Sequence, residues 1–183
     1  MSVRLVGWAA VFASVVVLLG GCGGGARGEV SPSRDLASAT PAAPERPVAA
    51  YGLSLAAADQ FVRHYVDLMN YASQTGDSGP LLAASDAGCV GCKQYADIAL
   101  KTNASNGGLS GDYRERVSDV SELVRRSNGR LRGSAAVTVG RYTTKDSPAA
   151  APVVSKAARY TEQVVLSPSK GNWVMFEIEL EER

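Results

Sequence analysis

Apolar residues in this chain change their spacing once, and that change limits what the chain can fold into. Leu55, Ala58, Phe61, Val62, Tyr65, Leu68, Met69 and Ala72 recur every three or four positions, the period of a helix with one apolar face. Beyond Asn128-Gly129, a dipeptide that favours tight hairpins, Leu131, Ala135, Val137 and Val139 fall on alternate positions, the period of a strand with one buried face. Val174, Phe176, Ile178 and Leu180 alternate in the same way with Met175, Glu177, Glu179 and Glu181. Helices first and then an antiparallel sheet of about four strands make an α+β chain.

Local signals place the ends of these elements. Ser54 is positioned to cap the first helix, and Gly76 in Thr75-Gly76-Asp77 to close it in the left-handed conformation. Asp59, Arg63, Asp67, Asn70 and Gln74 mark its polar face. A short second helix is expected from Ser78, with Pro80 in its first turn and Leu81 and Leu82 facing inward. A third is expected from about Cys89 to Thr102. Tyr160–Leu166 reads as a strand. The segment Tyr113–Arg126 fits either period, and a strand is preferred because the Asn128-Gly129 turn needs a partner before it. Pro148 and Pro152 mark an irregular loop. If Val174, Phe176, Ile178 and Leu180 form the buried face, Phe176→Ala should cost about 3–5 kcal/mol and Glu177→Ala under about 0.5 kcal/mol.

The first residues carry an address. Arg4 is followed by the uncharged run Leu5–Leu19, which is short for a permanent membrane span and reads as a secretory signal. Leu19-Gly20-Gly21-Cys22 resembles a bacterial lipobox, which implies cleavage before Cys22 and diacylglycerol on its sulfur. Gly23–Ala50 holds four of the chain's eight prolines and few large aliphatics, too little apolar surface to offset ordering entropy. A coil of that length spans roughly 30 Å. The expected organisation is a signal peptide over 1–21, a lipidated Cys22 and disordered tether over 22–50, and a single α+β domain over 51–183. Two acyl chains hold a soluble domain on a bilayer, so the expected location is the extracytoplasmic face of the cell membrane. With 19 Lys+Arg against 18 Asp+Glu, the net charge of +1 lacks the basic footprint of a nucleic-acid partner.

Chemistry is sparse. The sequence holds no Walker loop, no His-Glu-x-x-His and no Gly-x-Ser-x-Gly, and no cofactor is expected. Cys89-Val90-Gly91-Cys92 has no second cysteine pair, and there is one histidine in the chain, so a four-ligand zinc site does not assemble and no metal is expected. A thioredoxin-like role would want a strand before the motif, where Ala83-Ala84-Ser85-Asp86 stands. In an oxidising compartment the plain reading is a structural disulfide between Cys89 and Cys92. His64, with Asp67 three residues on, could act as a general base or sit at the domain boundary as an ordinary side chain. Arg125, Arg126, Arg130 and Arg132 flank the Asn128-Gly129 turn and could meet an anionic partner. Asn103-Ala104-Ser105 matches a glycosylation sequon.

The order of elements resembles the cone-shaped fold of ketosteroid isomerase, scytalone dehydratase and the nuclear transport factor family. Phe61-Val62-Arg63-His64-Tyr65, Asn70-Tyr71-Ala72, Thr75-Gly76-Asp77 and Cys89-Val90-Gly91-Cys92 further resemble an actinobacterial lipoprotein family known only as a domain of unknown function, over about Tyr51 to Arg183. That resemblance supports address and fold and brings no activity. Enzymes with the cone-shaped fold place Tyr, Asp and His inside, which makes His64, Tyr65, Tyr95 and Asp97 candidate pocket or ligand-binding residues, with Tyr71 beside them; no catalytic residue is carried over. The leading expectation is a non-enzymatic lipoprotein domain that binds a protein or small-molecule partner. An enzyme with His64 or Asp97 as base comes second, and a surface thiol oxidoreductase third.

Overall fold

The protein is described by a computed structural model over residues 41–181, with 107, 108, 146 and 148 excepted. The expected signal peptide, Cys22 and most of the expected tether lie outside the described residues. The elements in chain order are α1 (Leu55–Thr75), α2 (Gly79–Ala83), α3 (Val90–Asn106), β1 (Ser110–Gly111), β2 (Arg116–Arg125), β3 (Leu131–Val139), β4 (Tyr142–Thr144), β5 (Val153–Ser155), β6 (Ala158–Ser169) and β7 (Asn172–Glu181). Helices precede an antiparallel four-stranded sheet of order β2-β3-β6-β7, so the chain is α+β as its two hydrophobic periods predict. The ambiguous segment around residue 120 is the strand β2. The region around Pro152, expected as irregular loop, contains β4 and β5, which join β1 in a small second sheet.

α1 begins where Ser54 Oγ accepts a hydrogen bond from Ala57 N at 3.0 Å and ends at Gly76, whose φ of 77° is the left-handed conformation that glycine adopts without strain. Its burial is wider than one stripe. Phe61, Val62, Tyr65, Leu68 and Met69 are in the core, and His64 and Asn70 are buried beside them. Asn70 therefore leaves the polar face expected for it, and His64 is interior. α2 is a little over one turn, with Leu81 buried but Leu82 exposed, because so short a helix has room for a single inward residue.

The sheet packs Leu131, Ala135, Val137, Val164 and Leu166 against the helices. Pairing between the central strands β3 and β6 is regular, whereas the edge strands β2 and β7 both carry register shifts. An extra residue on one strand bends and twists it, which curls the sheet at its two edges. The edge of β7 is covered further by the α2–α3 loop, where Asp86 N donates to Met175 O at 2.7 Å and Met175 N to Ala84 O at 3.0 Å.

The shift in β7 corrects the expected buried face. Leu166 pairs with Met175 but Val165 pairs with Glu177, so Phe176 is the extra residue. Before it the inward residues are Trp173 and Met175, both fully buried; after it the inward residue is Ile178. Val174 and Phe176 are only half-buried, and the Phe176 ring lies 3.3 Å under the Arg130 guanidinium.

The start of the domain also moves. Val48–Ala50 forms a 3-10 turn and Ala50 is fully buried. Arg46 donates to Ala50 O and to Trp173 O, both at 2.9 Å, and lies over the rings of Tyr51 and Phe61. The stretch from Arg46 onward is part of the domain, not of the tether expected to run to Ala50.

These positions predict that Met175→Ala costs about 2–5 kcal/mol, and that Phe176→Ala costs less than half as much as Met175→Ala. Urea denaturation of the two variants decides it. Equal losses would mean that the bulge is misplaced.

Candidate functional site

Between the start of α3 and the inner face of β6 and β7 lies a cavity of about 660 Å³, within the range that small-molecule sites occupy. The Cys-Val-Gly-Cys motif holds its roof. A Cβ on Gly91 would collide with the Ile178 carbonyl oxygen, so glycine lets the helix start press against the β7 backbone. Cys89 and Cys92 are joined by a disulfide, with Cα atoms 5.4 Å apart. Cys92 N donates to Cys89 Sγ at 3.1 Å. Both cysteines are buried, so neither sulfur presents the accessible thiol that exchange chemistry requires.

The floor is acidic. Glu115 is set by α1: Asn70 Nδ2 donates to Glu115 O at 2.9 Å, and Glu115 N donates to Asn70 Oδ1 at 2.8 Å. One buried amide thus satisfies both backbone groups of a single residue. The Tyr160 hydroxyl lies beside the Glu115 carboxyl and pulls its pKa down against the effect of burial. Glu162, on β6, is 1% exposed. The Oε2 atoms of Glu115 and Glu162 are both buried and without a hydrogen-bond partner. Burial pushes both carboxyls above the usual carboxylate range, and for Glu162 the neighbouring Glu115 adds to it, bringing it from 4.5 to about 8. At neutral pH Glu162 therefore keeps its proton.

Of the residues expected in a pocket, only Tyr95 lines this one. Its hydroxyl is shared with Ser73 Oγ at 3.0 Å, and burial holds the phenol protonated well above its ordinary range. Tyr65 lies in the core, its hydroxyl engaged with Ser85 Oγ at 2.8 Å. His64 is away from the lining. Burial, and then the Arg46 charge, lower its pKa against the opposing pull of Asp67, so it is a neutral interior imidazole rather than a site base. Asp97 is exposed on α3 and does not line the cavity; the turn of the helix that buries Tyr95, Ala96 and Ala99 sends position 97 outward.

The arginine cluster is partly spent on packing. Arg125 lies 5.1 Å over Trp173 and donates to Leu53 O, and Arg130 covers Phe176. Asn103 is likewise structural, its amide donating to Gln74 O at 3.1 Å near the end of α1. Among the described residues no cluster of three or more His, Cys, Asp and Glu side chains could hold a metal ion, and no helix is long and apolar enough to cross a membrane.

Sequence reasoning missed Glu115 and Glu162. A signal existed for Glu162, which stands at the same parity as Val164 and Leu166 and so on the core face of its strand. Nothing local marks Glu115, because its burial depends on Asn70, 45 residues earlier.

Fold and cavity together define a single α+β domain in which helices cover one face of a curled antiparallel sheet and enclose a small acidic pocket. The chain belongs to the family described as DUF6318, a family of unknown function, which matches residues 34–179. No curated protein matches it. Among solved structures it is similar to the intermembrane space region of the chloroplast protein ARC6, at 18% identity and a TM-score of 0.48, covering 71% of this chain and 98% of that one. It is also similar to a designed protein of the nuclear-transport-factor type, at 15% identity and a TM-score of 0.38, covering 66% and 96%.

Two measurements follow from the site. A carboxyl that holds its proton in the folded state and releases it on unfolding makes stability fall as pH rises between the two pKa values. The domain should therefore lose up to about 1.4 kcal/mol per pH unit between pH 4.5 and about 8 through Glu162, and Glu162→Gln should flatten that slope. A slope unchanged in the variant, in urea titrations across this window, would show that Glu162 is not the group responsible. For the disulfide, a closed loop this short removes little chain entropy, so the double Cys→Ser variant should stay folded and lose only about 2 kcal/mol. The wild-type protein should not accelerate insulin reduction by dithiothreitol; turnover above background would restore the redox role.

Proposed function

We propose that this chain is a lipoprotein binding module, held on the extracytoplasmic face of a membrane by diacylglycerol on Cys22 and offering the pocket beneath α3 to a small molecule. The observation that carries the binding role is the cavity itself, with two carboxyl oxygens buried at its floor and unanswered by the chain. Buried polar atoms are nearly always paired, and an unpaired one that faces a ligand-sized space is paired by what enters it. The membrane location is supported by the Leu19-Gly20-Gly21-Cys22 motif behind an uncharged apolar run.

An enzymatic reading has one observation in its favour, the Glu115–Glu162 pair. Two neighbouring buried carboxyls, both pushed above the usual carboxylate range, resemble an acid–base couple, and they replace His64 and Asp97 as the groups such a reading would use. Binding needs fewer assumptions, since it asks no proton transfer of the pair or of Tyr95 and Tyr160 beside it.

The anchor is tested in cells. Metabolic labelling with a palmitate analogue should mark the wild-type chain and not Cys22→Ala, and the variant should accumulate as precursor or leave the membrane fraction. Equal labelling of both forms would refute lipidation at Cys22.

A further inference from the structure

We infer that the pocket selects a small organic cation, an ammonium group carried on an apolar body, with Glu115 and Glu162 as its counter-charges; this rests on the domain being a binding module. All the charged residues lining the cavity are acidic: Glu115 and Glu162 at the floor, Glu177 and Glu179 on β7. An anion would meet Glu115, Glu177 and Glu179, while the nearby Arg130 guanidinium is engaged over the Phe176 ring at the margin. Glu162 is buried with Oε2 unpartnered, and Glu115 Oε2 is unpartnered as well. An ammonium group brings N–H donors and a positive charge to both at once, which makes each hydrogen bond charge-assisted. A neutral hydroxyl brings one donor and no charge. A bare metal ion lacks its ligands, since no three-residue cluster exists among the described residues. The remaining walls include Met69, Ile98 and Ile178, hydrocarbon surfaces that suit an apolar body, and the cavity volume fits a molecule rather than an ion.

The electrostatic surroundings of Glu162 give the binding a pH signature. Glu115 faces it from the segment before β2, Tyr160 from its own strand, Tyr95 from α3 and Tyr65 from α1, with Glu177 and Glu179 from β7 along the lining. Every one of these groups is neutral or negative, so a bound ammonium is the sole positive charge among them. To accept it fully, Glu162 must give its proton to the solvent. Affinity should then rise with pH by up to about tenfold per unit until Glu162 is ionised, and binding at neutral pH should release a proton to the buffer.

The chain's two isoleucines, Ile98 and Ile178, both line the cavity, so isoleucine methyl NMR reads the pocket, the buried Ile178 from within and the exposed Ile98 at its rim. The full chain in detergent micelles, labelled at these methyls, is titrated with a size-matched set of ammonium, neutral and anionic fragments, including phenethylammonium, 2-phenylethanol and phenylacetate. The ammonium members should shift both methyls, more tightly at pH 8 than at pH 6. Glu162→Gln should keep the free spectrum, weaken phenethylammonium at least about tenfold at pH 8 and abolish the pH dependence. Neutral or anionic fragments binding as well as the ammonium ones would overturn the cation while leaving a binding module. No shift from any fragment would overturn both. Ammonium binding that Glu162→Gln leaves untouched would overturn the part assigned to Glu162.

Discussion

A helix buried around most of its circumference can hold a polar side chain inside only if some backbone answers it. Asn70 on α1 is that side chain and Glu115 that backbone: two hydrogen bonds, at 2.9 and 2.8 Å, pair the amide with one residue's N–H and C=O. The exchange leaves Asn70 satisfied and ties the chain to α1 just before β2 begins. The sheet thereby starts in contact with the helix it must cover, and the Glu115 carboxyl is delivered to the cavity by the same constraint. Fold and site share one clasp, so a change that loosens Asn70 disturbs both.

The cavity is a cleft that runs from exposed residues of α3 and β7 down to the buried Glu162. α3 is fixed at three places, by Gly91 against the Ile178 carbonyl, by Tyr95 to Ser73 and by Asn103 to Gln74. A roof held at several points cannot simply settle onto the floor, and the volume beneath it persists. Placing two carboxyls there opposes folding, because desolvation disfavours their charged forms and Glu115 further raises the pKa of Glu162. An apolar pair of the same size would stabilise the domain. Retention of acids at a site this rigid fits preorganised recognition better than structural need.

Legibility in the sequence follows the range of the interactions. α1, with its Ser54 cap and Gly76 stop, was readable because period and capping act within a few residues. The strand at β3 and the helix start at Cys89 were readable for the same reason. Asn70 was misplaced because helical position alone sets it on the wet face, and only a partner 45 residues away makes it an interior residue. Asp97 and His64 attract attention for their chemistry, yet helix geometry turns Asp97 to solvent, and His64 is an interior residue whose pKa the Arg46 charge, in a stretch read as tether, helps to lower. Arg46 was illegible as a domain residue because its neighbours are prolines and alanines; its hold on the Trp173 carbonyl and on two aromatic rings is wholly long-range.

The β7 strand shows how a bulge can be written in a sequence and still be misread. Trp173 and Met175 are large apolar residues at odd positions, whereas Ile178 and Leu180 are at even ones, and Glu177, Glu179 and Glu181 are odd. A regular strand that buried Trp173 and Met175 would bury Glu177 and Glu179 with them, adding their desolvation cost to that of Glu115 and Glu162. A regular strand that buried the even set would expose the tryptophan. One extra residue removes the conflict, because it changes parity between Met175 and Ile178. Glu177 and Glu179 then stay exposed beside the cavity lined by Ile178 instead of inside the core. The same irregularity that reconciles two apolar sets on one face therefore gives the pocket a wet acidic margin next to its dry acidic floor.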